Sequence, residues 1–301
     1  MSRVFALALL LLATGAACAQ SLGEVALAHE DELPGGPEAL AFDGRHIWVA
    51  RPHADMVVKL SASNGGHAGA FRIERPSAVL YAFSAVWVAS ARTNSVTKLS
   101  RDGALLGTFP VGYAPAAMIA DGEHLWVANS GSNSLTKLDR NGRRVLTVGV
   151  RARPMALAFD GAHVWVAANK ARSVMKVRAR DGEVLGVFPA GDGPSALAYD
   201  GEHVWVANFF SGEVMKLRAA DGERLGSYRV ADGATGLAFD GANVWVTNSG
   251  SNSISALRKD GSVMATYGTG RRPQQVLFDG ANLWLANSAS DSVSSTALGW
   301  K

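Results

Sequence analysis

Seven of the eight tryptophans form a series: Trp48, Trp87, Trp126, Trp165, Trp205, Trp245 and Trp284, separated by 39, 39, 39, 40, 40 and 39 residues. Only Trp300 lies outside it. A period of about 40 residues, with several short strands in each unit, is the mark of propeller blades. A helical solenoid of similar period would need apolar residues at 3.6 spacing, and such runs are absent. The chain should therefore form one all-β, seven-bladed β-propeller of four-stranded antiparallel blades, over residues 20–301, with blades starting near 37, 76, 115, 154, 194, 234 and 273.

The third unit shows the pattern. Residues 115–120 predict an inner strand A, Asp121-Gly122 a turn, 125–129 strand B, 130–134 a loop, 135–138 strand C, Asn141-Gly142 a turn and 145–148 strand D. Asp-Gly and Asn-Gly supply the positive φ that tight hairpins require. Between A and B they recur at Asp43, Asp160, Asp200, Asp240 and Asp279; between C and D, at Asn64, Asp102, Asp181, Asp221 and Asp260. Strand A is alanine-rich, as blades crowded near an axis demand, and the tryptophan of strand B belongs further out, where the blades diverge. The seventh unit lacks a strand D after residue 297, while residues 22–29 resemble the strand D stretch 182–188. The N-terminal segment should complete blade 7 and close the ring, leaving no long open edge.

The first nineteen residues read as a signal peptide: Arg3 is a positive start, residues 4–17 an apolar run too short for a membrane span, and Ala17-Cys18-Ala19 a small-x-small cleavage site. Cys18 as a lipidated first residue would call for a leucine-like residue at position 15, where Gly15 stands. Export to the periplasm or outside the cell, with cleavage near Ala19, is the expectation. Cys18 is the sole cysteine, so the processed chain would have neither disulfides nor thiolate chemistry. Its charge would be 28 − 26 = +2, too weak to imply nucleic acid.

The segment LWVANSGSNSLTKL (Leu125 to Leu138), with its glycine turn and Gly-x-x-Pro link, resembles the YVTN-type repeat of YncE-like exported bacterial propellers. The chain is also similar to NHL-repeat and streptogramin (virginiamycin B) lyase propellers, over residues 22–298. The resemblance implies the fold and leaves function open, because such repeats scaffold binding proteins and enzymes alike. It also implies that ligands sit on the face built from D–A links and B–C loops.

Sorted by that geometry, four repeat histidines, His46, His124, His163 and His203, fall in A–B turns, one per blade. They are too dispersed to converge on one ion and read as turn-satisfying groups. Lys59, Lys98, Lys137, Lys176 and Lys216 recur in strand C, with Ala256 and Ser295 in the last two blades. Their stems should pack on the blade and their ammonium groups reach water.

The ligand face is more varied. Blade 4 brings Arg151, Arg153, Lys170 and Arg172; blades 7, 1 and 2 bring Arg271, Arg272, Arg51, Arg75 and Arg92. Phe209 and Phe210 stand in the B–C loop of blade 5, where other blades have serine and glycine. Near blade 1, His29, Glu30, Asp31 and Glu32 join His53 and Asp55. This is the one corner where acid–base work or a metal has candidates, namely His29, His53 and Asp55.

Against a streptogramin-lyase-like enzyme, strand B ends in asparagine at Asn129, Asn208 and Asn248, where those lyases carry glutamate. Against a calcium-type lactonase, the residues opening strand A are Glu38, Ser77, Ala116, Met155, Ser195 and Gln274, with a single carboxylate. No nucleophile elbow, P-loop, zinc motif or EF-hand loop is present. The expectation is a monomeric binding propeller without cofactor or bound metal. Its partner would be an envelope or extracellular protein, a polymer or a small anionic ligand held by the arginines and Phe209-Phe210. Nucleic acid is conceivable but not favoured, since the face offers few stacking platforms. The competing expectation is a lyase- or lactonase-like enzyme centred on blade 1.

Overall fold

The computed structural model describes residues 24–26 and 35–297. The signal-peptide reading, Cys18, and the blade 1 candidates His29, Glu30, Asp31 and Glu32 lie outside these residues. The described residues form seven four-stranded antiparallel sheets and no helix. Six sheets follow chain order; blade 4, for instance, runs Pro154–Phe159, His163–Ala168, Ser173–Arg178 and Val184–Pro189 as strands A to D. Strand A is innermost and strand D forms the rim.

The seventh sheet closes the ring. Its strands A to C are Pro273–Phe278, Asn282–Asn287 and Ser292–Ala297, and its fourth strand is Glu24–Ala26. Glu24 pairs with Ser294, Val25 with Val293 and Ala26 with Ser292, which is the closure expected from the sequence. Residues 22, 23 and 27–29 of the matching stretch lie outside the described residues. The closing seam is tight: Leu40 N–H donates to Gln275 Oε1 at 2.6 Å. Leu40, Ile47, Val49, Val58 and Leu60 of blade 1 pack with Trp284, Ala286 and Val293 of blade 7.

The tryptophans are the keystones of the core, six of them essentially inaccessible to water. In six blades the aspartate of the A–B turn does three jobs at once. One oxygen of Asp160 accepts the N–H groups of Ala162 and His163, closing the turn, and the other accepts the Trp165 indole N–H at 2.8 Å. Asp43, Asp121, Asp200, Asp240 and Asp279 hold their own tryptophans in the same way, at 2.6–2.9 Å. Blade 2 departs from this. Its turn is Phe83-Ser84, both with left-handed backbone (φ 54° and 58°), and Trp87 donates instead to the Ala82 carbonyl. Two side-chain-bearing residues thus make a primed hairpin turn that glycine or asparagine usually supplies.

The strand C lysines overturn their expectation. They do not end in water. Lys59, Lys137, Lys176 and Lys216 are buried. Each ammonium donates to a main-chain carbonyl in the C–D turn of the next blade: Lys59 to Arg101, Lys98 to Arg140, Lys137 to Ala179, Lys176 to Ala219 and Ala220, and Lys216 to Lys259, at 2.6–2.9 Å. Each also lies 4.9–5.3 Å from the centroid of its own blade's tryptophan, a favourable cation–π distance. The reason is the neighbouring turn, which crosses the lysine tip and screens it from solvent while offering an unpaired carbonyl. The same turns press their glycines onto the previous blade: a side chain at Gly103 would collide with Phe71, and one at Gly222 with Phe188. Strands C and D of blade 7 are not joined by a hairpin, and the lysine facing that blade is replaced by Ala256.

Candidate functional site

Strand A lines the axis, so the residue just before it marks the inner end of each D–A link, at the channel mouth. These positions have unusual backbone. Arg75, Ala114, Arg153 and Arg272 adopt φ of 42°, 48°, 60° and 56°, where blades 5 and 6 use Gly193 and Gly233. The B–C loop of the preceding blade holds this conformation: Asp55 Oδ1 accepts the Arg75 N–H at 2.7 Å, and Asn94, Asn133 and Asn252 accept from Ala114, Arg153 and Arg272 at 2.8 Å. A left-handed backbone costs a residue with a Cβ roughly 1–2 kcal/mol that glycine escapes.

This geometry explains Asp55. It occupies the repeat position of Asn94, Asn133 and Asn252 and performs their task, capping the next link. His53 is exposed and its ring has no hydrogen-bond partner among the described residues. Among those residues no group of three or more histidine, cysteine or acidic side chains is arranged to hold a metal ion. Arg51 is not presented at the surface: it is buried, and its Nε donates to the Gly35 carbonyl at 3.2 Å.

The blade 4 and 5 candidates form one continuous surface. The Arg153 carbonyl accepts from Asn169 N–H, next to Lys170. Arg172 pairs with Asp192 at 3.0 Å, and the Asp192 carbonyl accepts from Phe210 N–H. Phe209 and Phe210 meet edge to face at 5.0 Å between centroids, with Phe210 70% exposed and lying over Gly193. Arg151, Arg153 and Lys170 are exposed and their side chains have no ionic partner among the described residues. Arg172 is the exception in this patch, its charge already met by Asp192. Likewise Arg92 lies 3.6 Å from Glu74. Arg75, Arg271 and Arg272 are exposed, and their guanidinium groups have no ionic partner among the described residues.

Tyr113, 69% exposed in the link from blade 2 to blade 3, is a further aromatic of this face that sequence reasoning missed. It packs over Gly131 and covers a cavity of about 380 Å³ with Ser132, Thr136 and Arg144. Its signal in the sequence was a bulky ring in a link otherwise built of small residues.

The axial channel is small, about 230 Å³, and is lined by the opening residues of strand A, from Glu38 through Ser77, Met155 and Ser195 to Thr235 and Gln274. Several of these bind the adjacent blade and not the channel: Ser77 Oγ donates to the Pro115 carbonyl at 2.6 Å, Ser195 to Ala234 at 2.8 Å and Thr235 to Pro273 at 3.0 Å.

The opposite face has its own cavity of about 430 Å³ between blades 3 and 4, lined by Glu123, His124, His163, Arg178 and Arg180 among others. Apart from the exposed Glu123, its charged groups have partners within the same turns. Arg178 binds Asp181 and Glu183, and the histidine Nδ1 atoms face their turn aspartates, 3.0 Å from Asp160 for His163 and 3.6 Å from Asp121 for His124. Burial alone would raise the carboxyls of Asp43, Asp121, Asp160, Asp200 and Asp279. The indole N–H and the turn amides outweigh it and hold them below the ordinary carboxylate value.

No protein-family model matches the chain, and no curated protein matches it. Solved structures do. One titled Kuenenia stuttgartiensis hydrazine synthase is similar with a TM-score of 0.81 and 18% identity, covering 91% of this chain and 98% of that one. A catalytically inactive virginiamycin B lyase from Staphylococcus aureus with quinupristin gives 0.79 and 16%, covering 92% and 99%. A streptogramin B lyase gives 0.73 and 17%, covering 91% and 96%. At such identities the likeness is one of fold.

Proposed function

We propose that the protein is an exported binding propeller whose D–A/B–C face takes an anionic or amphipathic partner. One observation carries the reading. Phe210 of blade 5 stands exposed beside the half-buried Phe209, and the adjoining blade 4 carries Arg151, Arg153 and Lys170 on the same face, cations with no ionic partner among the described residues. An aromatic this exposed, with unpaired positive charge on the next blade, suits a ligand with an apolar part and an anionic end. Export rests on the leader at residues 1–19, and the resemblance to exported YVTN-type propellers agrees with it.

The similar lyases make a lyase-like activity near blade 1 the competing reading. It has less support, because the Asp55 carboxylate is engaged in capping Arg75. The reading is tested by calorimetric titration with dodecyl phosphate below its micellar concentration and with butyl phosphate. The long-chain phosphate should bind more tightly, and the advantage should vanish in Phe210→Ser. Affinity for both should fall with salt, since screening acts over about 8 Å at physiological ionic strength, and should fall in Arg151→Glu/Lys170→Glu. Unchanged titrations in both variants would overturn the proposal.

A further inference from the structure

Three arginines share one register position at the mouth of the channel. Arg75, Arg153 and Arg272 each immediately precede the buried proline that opens strand A, in blades 2, 4 and 7. Around a seven-membered ring, blades 2, 4 and 7 are separated by two, three and two steps, close to an even triangle. All three are exposed, and none has an ion pair or side-chain hydrogen bond among the described residues. On the other face Arg178 and Arg218 are each matched by two carboxylates, while Arg45 and Arg143 are exposed without an ion pair among the described residues.

The backbone makes the choice of residue more pointed. All three arginines sit at left-handed φ, a conformation natural to glycine, and Gly193 and Gly233 occupy the same position in blades 5 and 6. Ala114 fills the same left-handed position in blade 3 without a charge, whereas blades 2, 4 and 7 place a cation there. The channel below carries one carboxylate, Glu38, and is too small to admit more than a fragment of a ligand.

Resting on the binding reading above, we propose that the channel mouth is a site for a compact polyanion, a small ring or branched core bearing three or more phosphate or carboxylate groups, one for each arginine. The ligand lies across the mouth and not inside the channel. Each guanidinium offers paired N–H donors in a plane that matches a phosphate or carboxylate edge. Three anchors at near-even spacing favour a ligand whose anionic groups radiate from a centre over one with the same charge along a line.

The test uses the full chain and Arg75→Gly/Arg272→Gly, which leaves Arg153 and the whole blade 4 patch intact. Titrants are myo-inositol hexakisphosphate, citrate, inorganic phosphate and a single-stranded oligonucleotide. The expected result is that inositol hexakisphosphate or citrate binds at least tenfold more tightly than phosphate, and that the double variant loses this margin. The same variant should melt at an equal or higher temperature, because glycine relieves the left-handed backbone. That separates lost binding from lost fold. Dodecyl phosphate binding, which reads the blade 4 and 5 surface, should survive in the double variant. If it does while the compact polyanions bind no better than phosphate, the wider binding reading stands and the channel-mouth site is refuted. Tight binding of the oligonucleotide alone, or polyanion binding indifferent to Arg75 and Arg272, refutes it equally.

Discussion

The Lys137 ammonium donates to the main-chain oxygen of Ala179, one blade further round the ring, at 2.7 Å while lying 5.2 Å from the centroid of the Trp126 ring. Asp121, which holds the Trp126 indole N–H, is 3.9 Å from the same ammonium. Carboxylate, indole and ammonium thus form one unit that fixes the tryptophan within its blade and ties that blade to the next. Three more seams carry an aspartate, tryptophan and lysine in the same positions, and the seam after blade 2 keeps the lysine and tryptophan without the aspartate.

Replacing Lys137 by methionine keeps the stem and removes the donor. The Ala179 carbonyl then loses its partner in a buried seam, which costs about 1–3 kcal/mol. Urea unfolding should show the midpoint falling with the slope unchanged. A midpoint equal to the parent's would mean the ammonium is a bystander.

The turn aspartates predict acid sensitivity with a definite sign. The folded carboxyls of Asp43, Asp121, Asp160, Asp200 and Asp279 lie below their ordinary value. The stability they contribute is fully present above about pH 4 and is lost as pH falls from there through the lower folded values. Melting temperature should be level from pH 7 to pH 5 with respect to these groups and drop below pH 4. Asp160→Asn should be destabilised by about 1–2 kcal/mol at pH 7, with the Trp165 indole deprived of a charged acceptor, and should show a shallower acid decline. An acid profile identical to the parent's would exclude Asp160 from the effect.

The repeat histidines should be dispensable. Asn282 already donates to Asp279 at 3.1 Å from the position that His163 holds opposite Asp160. His163→Asn should change stability by less than about 0.5 kcal/mol, the range of surface substitutions, and leave binding of every anionic probe intact. Loss of binding in this variant would show that the opposite face takes part.

Removal of residues 20–26 should open blade 7. Val293, wholly buried in the parent, would lose the strand that pairs with it at Val25, and strand C would become a bare edge. Light scattering on warming should report aggregation well below the parent's melting temperature. A truncated chain that stayed monomeric and melted normally would mean that the fourth strand is an ornament of the ring and not its lock.

The sequence by itself determined the blade number, the strand order, the hairpin turns and the closure by the N-terminal strand. All of these follow from local signals with a fixed period: Trp126 and its six counterparts, Asp-Gly pairs and short alternating strands. It also marked which residues break the repeat, Phe209, Phe210 and the arginines among them. Only the tertiary structure decided what the repeated and unrepeated polar residues do. Lys137 and its counterparts looked solvent-bound because their acceptors lie 42 to 44 residues away in another blade. Asp55 looked like chemistry until the Arg75 N–H was found against it, and Arg51 proved to be buried. Arg75, Arg153 and Arg272 visibly precede the prolines that open strand A, but their left-handed backbone was hidden. Periodicity places a residue within its own blade, but whether a charge is paired, capped or free depends on contacts across a seam, and those are set by packing one blade against the next.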